Sequence, residues 1–352
     1  MNLDDSATFT NLDPAHMLAE IDALPDQLAD AWALGQRQAL GDISGIRQIV
    51  LAGMGGSAIG ADLLAAYAAP LASVPLIVWR DYDLPAFALN QETLVVACSH
   101  SGNTEETLSA FEMALDSNVP VIAISTGGAL GERARNAGKP FWAFEHTGQP
   151  RAAVGYSFGL LLALTARLGL IPDPEDELTA AVQAMRAQQR TIEAGSPVAE
   201  NSAKRMAGQF MGRWPTIIGS GILEPVARRW RTQIAELAKA LAQFEALPEA
   251  DHNMVAGVMQ PEQLFGSTMV IFLRASLEDE RNQRRVDVTR SLLMLEGFNT
   301  DVIKAEGETR LAQQWTSLHY GDYTAYYLAM AYGIDPTPVE AIEDLKRRLK
   351  EV

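Results

Sequence analysis

One cysteine in 352 residues, Cys98, excludes an internal disulfide. It stands in the apolar run Thr93-Leu94-Val95-Val96-Ala97-Cys98, where a reduced, inert core thiol is the expected state, as suits a cytoplasmic protein. Basic residues are scarce: 28 Lys and Arg against 44 Asp and Glu give a formal charge of −16, and a nucleic-acid surface normally needs clustered cations. An anionic ligand must therefore be held by local donors. There is no apolar run of about 18 residues or more that would cross a membrane; the Ala- and Leu-rich stretch 158–170 is short and contains Arg167. The first residues, with Asp4, Asp5, Asp13 and Glu20, lack the basic start and apolar centre of a secretory signal, so a soluble protein is expected. The five histidines, His16, His100, His146, His252 and His319, are widely scattered, which gives no metal-binding cluster. No Gly-Lys-Ser/Thr follows a glycine turn, which argues against a Walker-type nucleotide site.

What is present is a chain with 48% hydrophobic residues, long enough for two domains of similar size. Residues 14–40 carry a helical pattern, with Met17, Ile21, Leu24, Leu28 and Trp32 three or four apart. Apolar runs recur at 48–52, 74–79, 93–98, 119–125 and 140–144, with helix-length segments between several of them. Strands alternating with helices predict an α/β fold, a mostly parallel sheet flanked by helices. Residues 151–213 read as helical, broken at Pro172, Asp173 and Pro174, which places a domain boundary there and gives domains of 1–173 and 174–352. A strand at 214–218, a helix from Glu224 to Gln243, a strand at 268–273, a helix over 281–296 and a last central strand at 300–303 follow. The tail from 309 to 350 reads as helical, interrupted from Gly333 to Pro338.

Two strand ends carry chemistry. After Ala52 comes Gly53-Met54-Gly55-Gly56-Ser57-Ala58-Ile59-Gly60, a glycine turn that opens a helix. Glycines let a ligand approach the backbone, and the first N–H groups of a helix are unpaired donors at the positive end of its dipole, so the turn is built to meet a phosphate. After Cys98 comes Ser99-His100-Ser101-Gly102-Asn103-Thr104-Glu105-Glu106-Thr107, which places Ser99, Ser101 and Thr104 before a second helix. Hydroxyls and N–H groups hold a phosphate without a cation. The competing account is helix capping, with Ser101 or Asn103 as N-cap and Glu105 and Glu106 favoured by the dipole. The first turn also parses as Gly53-x-Gly55-x-x-Ala58, with Asp81 or Asp83 after the next strand, as in a dinucleotide fold; three hydroxyls at the second loop have no particular use there. The grammar of the first turn returns at Gly219-Ser220-Gly221, which suggests a duplicated domain.

Together, the two loops resemble sugar isomerase (SIS) domains and, more narrowly, the bifunctional phosphoglucose/phosphomannose isomerase family. Further stretches agree in order, among them Arg80-Asp81-Tyr82, Pro150-Arg151-Ala152-Ala153, Gln233-Ile234-Ala235-Glu236, Leu247-Pro248-Glu249 before His252-Asn253, and Asp335-Pro336-Thr337-Pro338-Val339 before Leu345-Lys346. The resemblance implies two SIS domains and a homodimer whose active site is shared between domains and subunits, with no cofactor and no metal. It places Gly56, Ser57, Ser99, Ser101 and Thr104 around the phosphate of a small sugar phosphate, Glu236 as the base, Arg151 beside the enediolate, and His252 and Lys346 in ring opening. It implies interconversion of glucose 6-phosphate and mannose 6-phosphate with fructose 6-phosphate. The alternatives are a sugar-phosphate sensor without turnover and, behind it, a dinucleotide-dependent dehydrogenase. Each residue also has a plainer reading: Glu236 as a surface glutamate, His252 as a loop residue with local hydrogen bonds, Lys346 as a helix C-terminal cation, Arg151 as a cap or ion-pair partner. Two positions depart from the family pattern. His100 stands where an aromatic tyrosine is common, and Met254 where an acidic residue often follows the His-Asn pair.

Overall fold

The computed structural model describes residues 2–349 and 351. In chain order, the first half contains α1 (Ser6–Leu12), α2 (Met17–Asp22), α3 (Leu24–Arg37), β1 (Gln48–Gly53), α4 (Gly55–Ala68), β2 (Leu76–Trp79), β3 (Thr93–Cys98), α5 (Glu105–Asp116), β4 (Val121–Ser125), α6 (Gly128–Asn136), β5 (Phe141–Ala143), α7 (Val154–Arg167) and α8 (Glu175–Ile192). It continues through α9 (Ser202–Phe210), β6 (Trp214–Ser220), α10 (Glu224–Leu237), β7 (Gln243–Leu247), β8 (Thr268–Arg274), α11 (Glu280–Leu295), β9 (Asn299–Lys304), α12 (Arg310–Tyr332) and α13 (Glu340–Leu349). The chain separates into two compact units, one of residues 23–185 with 307–314, the other of residues up to Asp22, 186–306 and from Trp315 onward.

The first unit holds a five-stranded sheet of order β2-β1-β3-β4-β5 in which every pairing is parallel. β3 and β4 are buried along their whole length and β1 over all but its first residue. This explains their unbroken apolar runs, because a parallel sheet covered by helices on both faces offers no polar side to alternate with. Phe111, Leu130 and the strand valines and alanines pack one face. Cys98 is a buried free thiol whose pKa burial pushes up to about 12, so it stays protonated and unreactive at neutral pH.

The second unit holds a four-stranded parallel sheet of order β7-β6-β8-β9. Two elements differ from expectation. The helix expected to reach Gln243 ends at Leu237, and Gln243–Leu247 is β7. The strand expected in a central place is β9 at the sheet edge, where its burial is only partial. α12 is the buried spine here. Tyr326 donates to Asp13 Oδ2 at 3.2 Å, Tyr327 to the Ile192 carbonyl at 2.6 Å and Tyr323 to Asp22. His319 is fully buried, with Nε2 2.8 Å from the Ile21 carbonyl, and desolvation holds its pKa down at about 4, so the ring is neutral. No described helix is long and apolar enough to cross a membrane.

Candidate active site

In the first unit, β1 and β3 are neighbours, with Gly53 directly opposite Cys98. The chain order runs outward to β2 on one side and to β4 and β5 on the other. This is the topological switch point of a doubly wound sheet, where the loops at the carboxyl ends diverge and leave a crevice. Both loops singled out in the sequence leave from it, and each leads into a helix, α4 at Gly55 and α5 at Glu105. Two helix N-termini with their free N–H groups therefore open at one sheet edge.

The side chains knit these loops together. Ser57 Oγ accepts from the His100 backbone N–H at 3.2 Å. Ser99 Oγ lies 2.8 Å from Thr104 Oγ1 and accepts from Gly102 N at 3.1 Å. Thr104, rather than the Ser101 or Asn103 of the capping account, is the N-cap of α5, yet its side chain makes no capping hydrogen bond. Its hydroxyl faces Ser99 instead. Asn103 is occupied elsewhere, donating to the Ser101 carbonyl and accepting from Ala129 N. Ser101 is exposed, and its Oγ accepts a local bond from Asn103 N at 3.2 Å. Helix capping is thus not what the Thr104 hydroxyl does.

A third segment completes this wall. Residues 150–152 form a short 3₁₀ turn that carries Arg151, which is 5% exposed and donates from Nη1 to Gln149 Oε1 at 3.3 Å. Gly56 is required at this contact: a Cβ there would lie 2.6 Å from the Pro150 carbonyl oxygen and 3.4 Å from Arg151 Cα. Gln27 of α3 holds the turn from behind, accepting from Gly155 N at 2.7 Å and donating to the Ala152 carbonyl at 3.0 Å. Gly56, Ser57, Ser99, Ser101, Thr104 and Arg151 are therefore gathered at one sheet edge.

Glu236, His252 and Lys346 belong to the second unit, on separate elements. Glu236 is half-buried in the last turn of α10, whose end is fixed by Lys239: its Nζ donates to the Glu236 carbonyl at 2.7 Å and to the Leu237 carbonyl at 3.3 Å. His252 is exposed at the end of a 3₁₀ turn, Glu249–His252. Asp251 fastens that turn to α11, with 2.8 Å to Arg285 Nη1 and 2.6 Å to Thr289 Oγ1. Met254 packs against the apolar core of this unit, which accounts for an apolar residue at that position. Lys346 is exposed on α13.

Sequence reasoning missed two participants. His146 Nδ1 is 2.9 Å from His100 Nε2, with Phe144 and Tyr156 completing a ring cluster beside the Ser99–Thr104 loop. Gln27 is the other. Neither has a local signal, because their partners lie 46 and 125 residues away in the chain. Among the described residues, no group of three His, Cys, Asp or Glu side chains is placed to hold a metal ion.

Residues 199–349 match the family model of the bacterial phospho-glucose isomerase C-terminal SIS domain. The fold is similar to the crystal structure of a glucose-6-phosphate isomerase like protein from Thermus thermophilus, with a TM-score of 0.66 at 20% identity over 96% of this chain and 98% of that one. Two parallel sheets, with two loop-to-helix turns meeting at a switch point, define a double SIS-domain protein. A bifunctional phosphoglucose/phosphomannose isomerase from Caldicellulosiruptor bescii is 37% identical over 340 residues, 96% of this chain and 99% of the relative. One from Aquifex aeolicus is 32% identical over 88% of this chain and 92% of its own length. The chain belongs to the bifunctional phosphoglucose/phosphomannose isomerase family.

Proposed function

We propose that this protein is an aldose-ketose isomerase interconverting glucose 6-phosphate and mannose 6-phosphate with fructose 6-phosphate through an enediol. The observation that carries the reading is the cradle at the β1/β3 switch point, where Ser57, Ser99 and Thr104 converge beside two helix N-termini and the buried Arg151. Neutral donors suit the phosphate, and a guanidinium that never loses its charge suits an oxyanion developing on the sugar. Moving a proton between C1 and C2 needs one carboxylate to take and return it, the role proposed for Glu236. His252 and Lys346 are proposed to exchange protons with the ring oxygen and anomeric hydroxyl. The scheme needs no cofactor and no metal. The domain division at 173/174 remains part of the proposal, with the family match beginning at residue 199 in its support.

The same reading includes a soluble, cytoplasmic homodimer. Its support is the buried, protonated Cys98 and a stripe on α13 formed by Ile342, Leu345 and Leu349, which are 40%, 56% and 63% exposed and one or two turns apart.

Incubation with fructose 6-phosphate in deuterated water is the direct test: deuterium at C2 of both glucose and mannose phosphates, followed by NMR, is the expected result. Binding with no isotope incorporation would reduce the protein to a sensor. Ser101→Ala is expected to weaken binding of the phosphorylated sugar by about 0.5–3 kcal/mol, the span for hydrogen bonds to neutral and charged groups, as read by calorimetry.

A further inference from the structure

The two sheets repeat one plan. β7-β6-β8-β9 follows the order of β2-β1-β3-β4, so the turn after β6 corresponds to the turn after β1 and the loop after β8 to the loop after β3. The backbone agrees in detail. Met54 has φ −127° and ψ 160°, and Ser220 has φ −135° and ψ 154°; each is followed by a glycine, Gly55 and Gly221, with φ +50°. The loops after β3 and β8 also match in length. Gly53 lies opposite Cys98, and Thr104, six residues on, caps α5. Continuing the β6/β8 register by one residue sets Leu273 opposite Gly219, and Asp279, six residues on, caps α11. The positions of Ser99, Ser101 and Thr104 are thus held by Arg274, Ser276 and Asp279.

The contents of the two cradles differ. Over Gly55 the space is open, with no atom within 4 Å of where a Cβ would stand. Over Gly221 that space is filled by the Glu278 carboxylate, with Oε2 2.2 Å and Oε1 2.9 Å from the same point. Glu278 Oε1 accepts from Asp279 N at 3.1 Å and from Asn282 Nδ2 at 3.4 Å, which braces it against the start of α11. The neighbouring groups are also committed. Arg274 Nη2 donates to Asp287 Oδ2 at 2.7 Å and to the Gln283 carbonyl, and the Asp279 carboxylate caps its helix through Arg281 N at 2.8 Å. Where the first turn has three hydroxyls around an open space, the second has a carboxylate already seated.

We infer that Glu278 is an intramolecular anion occupying the second glycine turn, so that this repeat is closed to phosphate and each chain offers one sugar-phosphate cradle. A carboxylate at a helix start gains the electrostatic stabilisation that a bound anion would gain there. It also ties the β8–α11 loop to the β6–α10 turn and thereby fixes the start of the helix that carries Glu236. The count of one cradle rests on the phosphate reading of the first turn; the seating of Glu278 does not.

Two measurements test the inference. Glu278→Ala opens the space, and its Tm is expected to fall by about 3–10 °C, the shift expected when charged hydrogen bonds are lost from a unit of this size. Acetate or inorganic phosphate should then restore part of that loss, raising the Tm of this variant by several degrees more than that of the wild type. Glu278→Gln fills the same space and should show no such extra rise. Equal responses of the wild type, Glu278→Ala and Glu278→Gln to the anions would overturn the inference. Should Glu278→Ala not fold, equilibrium dialysis of the wild type with inorganic phosphate decides: one site per chain supports the inference and two overturn it. No site at all would count against the first cradle, and so against the proposed function, while the anion response of a folded Glu278 variant would still be interpretable.

Discussion

Glu236→Gln is expected to lower kcat for fructose 6-phosphate by about 10²–10⁴-fold, the range for removal of a general base, while the protein still binds the sugar phosphate. The substitution keeps the size of the side chain and its place at the end of α10, where Lys239 holds the Glu236 and Leu237 carbonyls. What changes is the ability to accept a proton from carbon, which an amide lacks. A coupled assay read beside calorimetric titration separates the two effects. Turnover near the wild-type rate, with binding intact, would remove Glu236 from the mechanism and leave His252 to be tested as the proton carrier. A parallel loss of binding and turnover would instead point to a role in shaping the site. Phosphate affinity is assigned to groups in the first unit, so the expected pattern is a fall in kcat with little change in affinity.

The meeting of the two loops at the β1/β3 switch point was legible in the sequence because each loop is local. β1 and β3 are covered on both faces, so each reads as an unbroken apolar run ending in a glycine or hydroxyl cluster, and a parallel sheet places ligands at such ends. Elements that depend on distant partners were not legible. β7, with the sequence Gln-Phe-Glu-Ala-Leu, is half-exposed at a sheet edge, so its polar residues continue the apparent helix of α10 without a break. The break comes at Lys239, whose backbone takes φ +52° after the helix end, a conformation that a lysine does not advertise. The N-cap of α5 was ambiguous because Ser101, Asn103 and Thr104 are all good capping residues. Their roles are settled by contacts with Ser99 and with Ala129 of α6. Gln27 and His146 looked ordinary for the same reason: each acquires meaning from a partner far away in the chain. Of the proposed catalytic groups, Glu236, His252 and Lys346 have no local pattern, and only the family resemblance singled them out.

The helix that carries Glu236 is fixed by a buried ion pair, and breaking it should give the largest stability loss in the second unit. Arg229 of α10 donates to Asp322 of α12 through Nε at 3.0 Å and through Nη2 at 2.6 Å, with side chains 2% and 3% exposed. Burial pushes the Asp322 carboxyl above its usual range, and the guanidinium beside it opposes that rise. Next to Arg229, Trp230 donates to the Ser317 carbonyl at 2.9 Å and stacks on Tyr320, and Gly321 leaves room for the indole, which would lie 2.1 Å from a Cβ there. Asp322→Ala keeps the apolar packing but strips the carboxylate that receives both guanidinium bonds. The expected cost is about 3–5 kcal/mol, because a buried cation loses its charged partner. Replacing both partners, as Arg229→Met with Asp322→Leu, removes the charge along with its partner, and that protein is expected to be at least as stable as the wild type. Urea unfolding of the three proteins measures the difference. A loss below about 1 kcal/mol for Asp322→Ala, the level of an exposed ion pair, would mean that water reaches the pair. Arg229 and Glu236 are seven residues apart, close to two full turns of an α-helix, so they lie on nearly the same face of α10. The bidentate pair therefore sets the rotation of the helix that aims Glu236. The double variant is accordingly expected to recover stability while its kcat falls and its phosphate affinity holds, a split that loss of folding could not produce.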